Sequence, residues 1–333
     1  STYRALVTAK YEAGNPEASF RAFDEFFERY APSDDSTFVS WMYGARGRYQ
    51  YLLGHQGRAV YDYARAVTLT PEEALDVRIQ RMNNLALTYV NLQEWQAALH
   101  YLDQVERMAT GVALTNERLQ LEKGRALAAR AAAHMRMAEQ GIVPIDEQLS
   151  RIETDANQAF SLLESINQDL SIGPRLSLAS AYLLAGQLSD AEEALRQAIA
   201  LMTPSTSPNR RLTLSRTRGQ LALQRDALDE ARSHFAEAYS IATTYNLLSG
   251  QQWASVYNGQ IAERSAELDE ARTHHQRAME LAESGNESIR ATLWSNRSLS
   301  ARRARGGASY MTPGCRRPFS MSRRPMCVCS TRT

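Results

Sequence analysis

Adjacent His274 and His275 offer two imidazoles to a metal ion, and Cys327 and Cys329 offer two thiols. The phrases DAEEA, DEARS and DEART crowd carboxylates that could exchange protons, and ARGGAS supplies paired glycines of the kind that wrap a phosphate. Each falls short of its chemistry. Neighbouring residues on a helix point about 100° apart, and no third ligand follows the histidines at i+4. Cys-x-Cys has neither the two-residue gap nor the second ligand pair of a zinc site. The glycines lack a preceding strand and a lysine. The carboxylates stand near helix starts, where the dipole favours negative charge, and nothing pairs them across a cleft. His275 falls on a packing position, and His100 and His234 lie beside large apolar residues, so all three read as structural. The expectation is a chain that is not an enzyme, with no catalytic residue, no metal site and no cofactor.

The elements that carry these residues are more informative. At 333 residues the chain exceeds a single core of about 100–200 residues, so it is either two domains or an elongated array. No run approaches the ~18 apolar residues of a membrane span, and the first residues, STYRALVTAKYEAG, have no basic or apolar leader. A cytoplasmic location without membrane contact is expected. The net charge of +1 conceals a division: Glu287 is the last acid, ten arginines follow it, and residues 1–287 therefore carry −9. All three cysteines lie in that tail, so the body has no disulfide framework.

The body repeats itself. Ala191, Ala231 and Ala271 are spaced by 40 and 40, and each is followed at i+4 by a larger side chain (Leu195, Phe235, His275) and at i+7 by alanine (Ala198, Ala238, Ala278). This spacing is one face of a helix whose small residues admit a close neighbour. Turn segments AGQLSD, QRDALD and RSAELD precede it, and other helical stretches precede those. Earlier copies carry Ala59 with Tyr63 and Ala66, and Ala98 with Leu102 and Val105; a looser one opens around Ala18. Residues 110–170 fit poorly and read as one enlarged, divergent hairpin, its second helix anchored near Ala159.

These residues, with Gly47, Pro71, Leu85, Tyr89, Leu178, Tyr182, Gly186, Gly219 and Gly259, resemble the tetratricopeptide repeat (TPR), a helix–turn–helix unit of at least ~34 residues. The longer period is similar to that of kinesin light chains, of bacterial transcription activators of the maltose-regulon type and of peptide-sensing bacterial regulators. The resemblance implies an all-α, right-handed superhelical solenoid of about seven hairpins over residues 1–300, with first helices lining an inner groove. Carrying the family's inner positions over gives Trp41, Arg48 and Tyr51; Asn83, Leu87 and Val90; Leu176, Ser180 and Leu183; Arg216, Gln220 and Leu223; Trp253, Val256 and Gln260. Asn84 joins Asn83, since a helix-borne amide binds a peptide main chain whatever its sequence; bridging of adjacent hairpins is the other role open to both.

Beyond Arg297 the periodicity stops. ESIRATLWSNRSLS reads as the first helix of an eighth unit, but residues 301–333 are a basic Cys/Arg/Pro-rich tail without acids. From about Arg302 the chain reads as a frameshifted or otherwise non-native ending; a genuine tail contacting nucleic acid or anionic lipid is the rival. The function expected is a non-catalytic protein- or peptide-binding scaffold, the sensor or docking region of a bacterial regulatory protein. The alternative is a nucleic-acid-associated regulator that contacts DNA or RNA through the tail or a missing domain. A homodimer is compatible with either.

Overall fold

The structure, a computed structural model, describes residues 2–12, 16–30, 36–53, 55–110 and 116–283. They form fourteen α-helices and, among the described residues, no strand. In chain order these are α1 (Thr2–Glu12), α2 (Pro16–Arg29), α3 (Ser36–Leu52), α4 (Gln56–Leu69), α5 (Leu75–Asn91), α6 (Trp95–Thr110) and α7 (Glu117–Glu139). Then follow α8 (Ile145–Leu163), α9 (Gln168–Leu184), α10 (Leu188–Ala200), α11 (Pro208–Gln224), α12 (Leu228–Thr244), α13 (Leu248–Arg264) and α14 (Leu268–Glu283). Each odd helix pairs with the even helix after it, giving seven hairpins, and each even helix packs on the next hairpin's first helix. From α3 to α13 each odd helix also packs on the next odd helix, while the even helices form no comparable pairs. Odd helices therefore sit closer together and form the inner wall of a superhelical solenoid; even helices splay apart on the outside.

The repeated alanines close these hairpins. Ala191, Ala231 and Ala271 are buried, as are Leu195, Phe235, Ala198, Ala238 and Ala278. Between the hairpin's two helices the large residue meets a small one 16 positions earlier. Phe235 lies where a Cβ on Gly219 would stand 2.7 Å from its ring, and His275 faces Gly259 in the same way at 2.6 Å. Two copies start elsewhere than expected. The first is anchored by buried Ser19, with Phe23 and Phe26 below it, whereas Ala18 is half-exposed; Ser19 to Ala59 restores a step of 40. In α8 the buried face runs Ile152, Ala156, Ala159 and Leu163, so Ala159 is its third member rather than its anchor.

Turns within the later hairpins share one geometry. Gln93, Gly186, Asp226 and Ala266 have φ between 59° and 75°, and the following amide bonds back to the helix, as from Gln187 N to Tyr182 O at 2.8 Å and from Glu267 N to Ala262 O at 2.8 Å. This is the Schellman closure, which satisfies the last carbonyls of the first helix. Neighbouring hairpins are then stitched by polar side chains one repeat away. Gln224 Nε2 donates to the Leu183 carbonyl at 3.0 Å, and Arg264 Nη1 to the Leu223 carbonyl at 2.8 Å. Buried Arg81 reaches the Ser40 carbonyl at 2.7 Å, and desolvation draws its pKa down to about 10.

The divergent hairpin is built from longer helices: α7 has 23 residues where α5, α9, α11 and α13 each have 17. It packs on α5, α6 and α9, so the array runs through it. Arg130 of α7 fastens it to α6 through Asp103 at 2.9 Å and through Glu106, and to α8 through Asp155 at 2.7 and 2.8 Å. The boundary at residue 300, the opening helix of an eighth unit, the basic tail and Cys327-x-Cys329 all lie outside the described residues.

Candidate functional site

Residues one and two turns apart on the odd helices face the inside of the solenoid, and two depressions form there. Towards the N-terminus, Arg48 and Tyr51 of α3, Gln80, Asn84 and Leu87 of α5, and Arg125 of α7 line a space of about 300 Å³. Arg125 Nη1 holds the buried Glu122 carboxylate at 2.9 and 3.0 Å, and its Nη2 donates to Asn84 Oδ1 at 3.2 Å. That contact fixes the Asn84 amide with its Nδ2 turned away from Arg125, and this nitrogen has no hydrogen-bond partner among the described residues. Tyr51 is steadied by Asn91, whose Nδ2 donates to the phenol at 2.7 Å.

Towards the C-terminus, Glu139 of α7, Ser180 and Leu183 of α9, Gln220 of α11, and Tyr257 and Gln260 of α13 line a space of about 210 Å³. Gln220 Nε2 donates to the Tyr257 phenol at 2.5 Å, and the tyrosine ring stacks on Phe235 with centroids 4.5 Å apart. Burial raises the Tyr257 pKa, which keeps the phenol neutral. Beside this depression the Arg216 guanidinium lies 5.3 Å from the Trp253 ring centroid.

Arg136 of α7 lies three residues before Glu139. Its side chain is exposed. Its pKa is lowered, first by desolvation and then by the positive charge of Arg216, with Glu139 and Tyr51 acting in the opposite sense.

Of the predicted groove residues, Arg48, Tyr51, Asn84 and Leu87 meet in the first depression, and Ser180, Leu183, Gln220, Leu223 and Gln260 in the second, flanked by Arg216 and Trp253. Trp41 stacks on Phe38 in the N-terminal aromatic cluster, outside both. Asn83 is a correction. It is 1% exposed and its Nδ2 donates to the Glu122 carbonyl and carboxylate, each at 2.8 Å, so its amide bridges hairpins instead of facing the groove. Val90, Leu176 and Val256 are likewise buried among the helices. For Asn83 the reason is angular: the inner wall exposes a narrow stripe of α5 that carries Asn84, and a residue one position off that stripe points into the joint. Sequence reasoning missed Arg125, Glu139 and Tyr257. The first two are on α7, whose divergent sequence has no repeat register; Tyr257, four residues after Trp253, was legible from helical spacing. Among the described residues no three histidine, cysteine or acidic side chains gather as a metal site would require, and no helix is long and apolar enough to cross a membrane.

No protein-family model matches the chain, and no curated protein matches it in sequence. Solved structures do match in shape. The apo form of RapI covers 85% of this chain and 97% of its own, with a TM-score of 0.67 at 8% identity. A tetratricopeptide repeat protein from Parabacteroides merdae covers 88% and 98%, with a TM-score of 0.57 at 16% identity. A Rap protein complexed with competence and sporulation factor covers 88% of this chain and 75% of its own, with a TM-score of 0.57 at 14% identity. With repeated helix pairs, a small–large–small joint in each and an inner wall of first helices, the chain has the TPR-type helical-repeat fold.

Proposed function

We propose that this chain is a non-catalytic scaffold whose inner surface receives an extended peptide or a partner's peptide-like segment, and that it serves as the sensor or docking region of a bacterial regulatory protein in the cytoplasm. One observation carries the reading: Asn84 is held by Arg125 so that its amide NH₂ remains free in the inner depression. An amide so placed donates to a main-chain carbonyl of an extended ligand, and Tyr51 and Leu87 beside it supply apolar burial. The second depression repeats that chemistry with Gln260, Tyr257 and Gln220. The Rap protein complexed with competence and sporulation factor is a neighbour in fold, which supports the class of partner and says nothing of its identity.

The test is a binding measurement with random biotinylated hexapeptides on the purified chain, followed by the strongest binders in solution. Asn84→Ala with Tyr51→Ala is expected to weaken them about tenfold or more, the loss of one hydrogen bond and one aromatic contact. Unaltered binding in a variant with wild-type helicity refutes this groove, and a wild-type chain that captures no peptide refutes the reading.

A further inference from the structure

We propose that the N-terminal part of the array carries a second binding site, between α3 and the first turns of α4, and that it takes a phosphoryl group, as the free ion or on a small monoester. The site is separate from the two inner depressions and does not depend on what they bind.

Arg46 and Gln50 of α3 and Gly57, Arg58, Tyr61 and Asp62 of α4 line a space of about 330 Å³. One side of it is fixed. Arg46 holds the Asp62 carboxylate at 2.7 and 2.9 Å and Asp24 of α2 at 3.3 Å, and its guanidinium lies 4.4 Å from the Phe27 ring centroid. What remains open is a set of donors. Gln50 is only 6% exposed, and its Oε1 is engaged by His55 Nδ1 at 2.8 Å. Its Nε2 has no hydrogen-bond partner among the described residues and is left to the space that the residue lines. A buried amide of this kind costs stability unless something accepts from it. The first turn of α4 is in the same condition. His55 stands at the N-cap without a side-chain cap, no acid lies in that turn, and the N–H groups of Gln56 and Gly57 have no partner among the described residues. The Arg58 guanidinium and the Tyr61 phenol, both exposed, make no ion pair or hydrogen bond there.

The donors select the ligand. A side-chain amide, first-turn N–H groups, a guanidinium and a phenol all call for an acceptor, and the helix dipole and Arg58 favour a negative one. The carboxylates nearest the site, Asp62 and Asp24, are both held by Arg46 and so leave Arg58 to the ligand. A carboxylate offers two oxygens and one charge. A phosphoryl group offers three oxygens and close to two charges at neutral pH, enough to engage Gln50, the start of α4 and Arg58 together. The space has the size of a small-molecule site, about 300 Å³ or more, and the Tyr61 ring at its edge gives the remainder of a monoester an apolar face.

Inorganic phosphate, phenyl phosphate and benzoate, each titrated into the full chain at fixed ionic strength, provide the experiment. Binding is followed by the backbone amide signals of Gly57 and Arg58 in ¹H–¹⁵N spectra. A local readout is needed because residues 288–333 carry ten arginines, which attract anions on their own account. At least one phosphate compound should shift these signals to saturation and bind at least about tenfold tighter than benzoate. Phenyl phosphate binding tighter than inorganic phosphate marks a monoester site; the reverse order marks a site for the free ion. Arg58→Gln should weaken binding about tenfold or more at an unchanged melting temperature, since the side chain is exposed and unpaired. Gly57→Leu, at a position where a Cβ meets nothing within 4 Å, should obstruct the space and abolish binding with wild-type helicity. Signals that neither phosphate compound moves, an affinity unaltered in both variants, or benzoate binding as tightly as the phosphates overturns the site.

Discussion

Arg130 engages three carboxylates on two neighbouring helices, and one of them, Asp155, has a side chain only 6% exposed. Hydrogen bonds to Asp155 and to Glu106 raise the arginine's pKa against the desolvation that opposes them, so the cation is firmly held. Arg130→Met strands Asp155 without a counter-charge and is expected to destabilise the fold by about 3–5 kcal/mol in urea denaturation. Adding Asp155→Asn should recover much of that loss. His134, on the same helix, gives a pH dependence. It is buried, its Nδ1 has no partner, and desolvation lowers its pKa, with Arg151 and Arg130 acting in the same sense and Asp155 and Asp103 opposing. The unfolded chain therefore binds the proton first as pH falls. The His134 contribution to stability is intact above the ordinary value of about 6.5 and declines below it until the depressed folded pKa is passed. Thermal melts between pH 7.5 and 5 should fall less steeply for His134→Gln than for the wild type, and parallel curves would discount the residue.

At the scale of the element, the hairpin is held by one small–large contact and one turn, and each can be probed separately. A methyl group on Gly219 would stand 2.7 Å from the Phe235 ring, which is itself fixed by stacking on Tyr257. Gly219→Ala is expected to cost about 1–3 kcal/mol through overpacking, with Phe235→Leu in the same chain restoring part of it. The turn offers the opposite change. Ala266 holds φ 62° where Gly186 occupies the equivalent position with φ 75°. An alanine Cβ crowds the following carbonyl in this conformation, so Ala266→Gly should stabilise by about 1 kcal/mol despite the entropy glycine adds to the unfolded chain. The same change at Asn246, φ 52°, should gain less, since asparagine tolerates this region. Equal gains at the two sites would argue against strain as the cause.

At the scale of the molecule, each hairpin touches its neighbours in sequence, so stability is close to a sum of unit and joint terms. The largest buried cluster runs from Ala131 of α7 through α8, α9 and α10 to Leu221 of α11, in the middle of the array. Amide hydrogen exchange should be slowest in α9 and α10 and fastest in α1, α2 and α14. Uniform protection from end to end would mean a single cooperative core instead of stacked units. The outer even helices can spread while the inner odd helices stay in contact, which gives the groove its curvature.

The repeat of about 40 residues, the paired helices, the buried alanines and the absence of a motif with catalytic spacing were all legible in the order of residues. These depend on local periodicity: a helix face is set by positions three and four apart, and a small–large–small stripe specifies its own partner. Arg48, Tyr51, Asn84, Gln220 and Gln260 were legible for the same reason, each standing on the open stripe of a first helix. Asn83 and Asn84 look alike as neighbours in a line of text; only packing decided that one is buried on Glu122 and the other faces the groove. Arg125 and Glu139 lie on α7, which carries no repeat pattern by which to align them with the other first helices. Their places in the two depressions follow from the rotation accumulated over successive joints, a property of the stack that no single repeat contains.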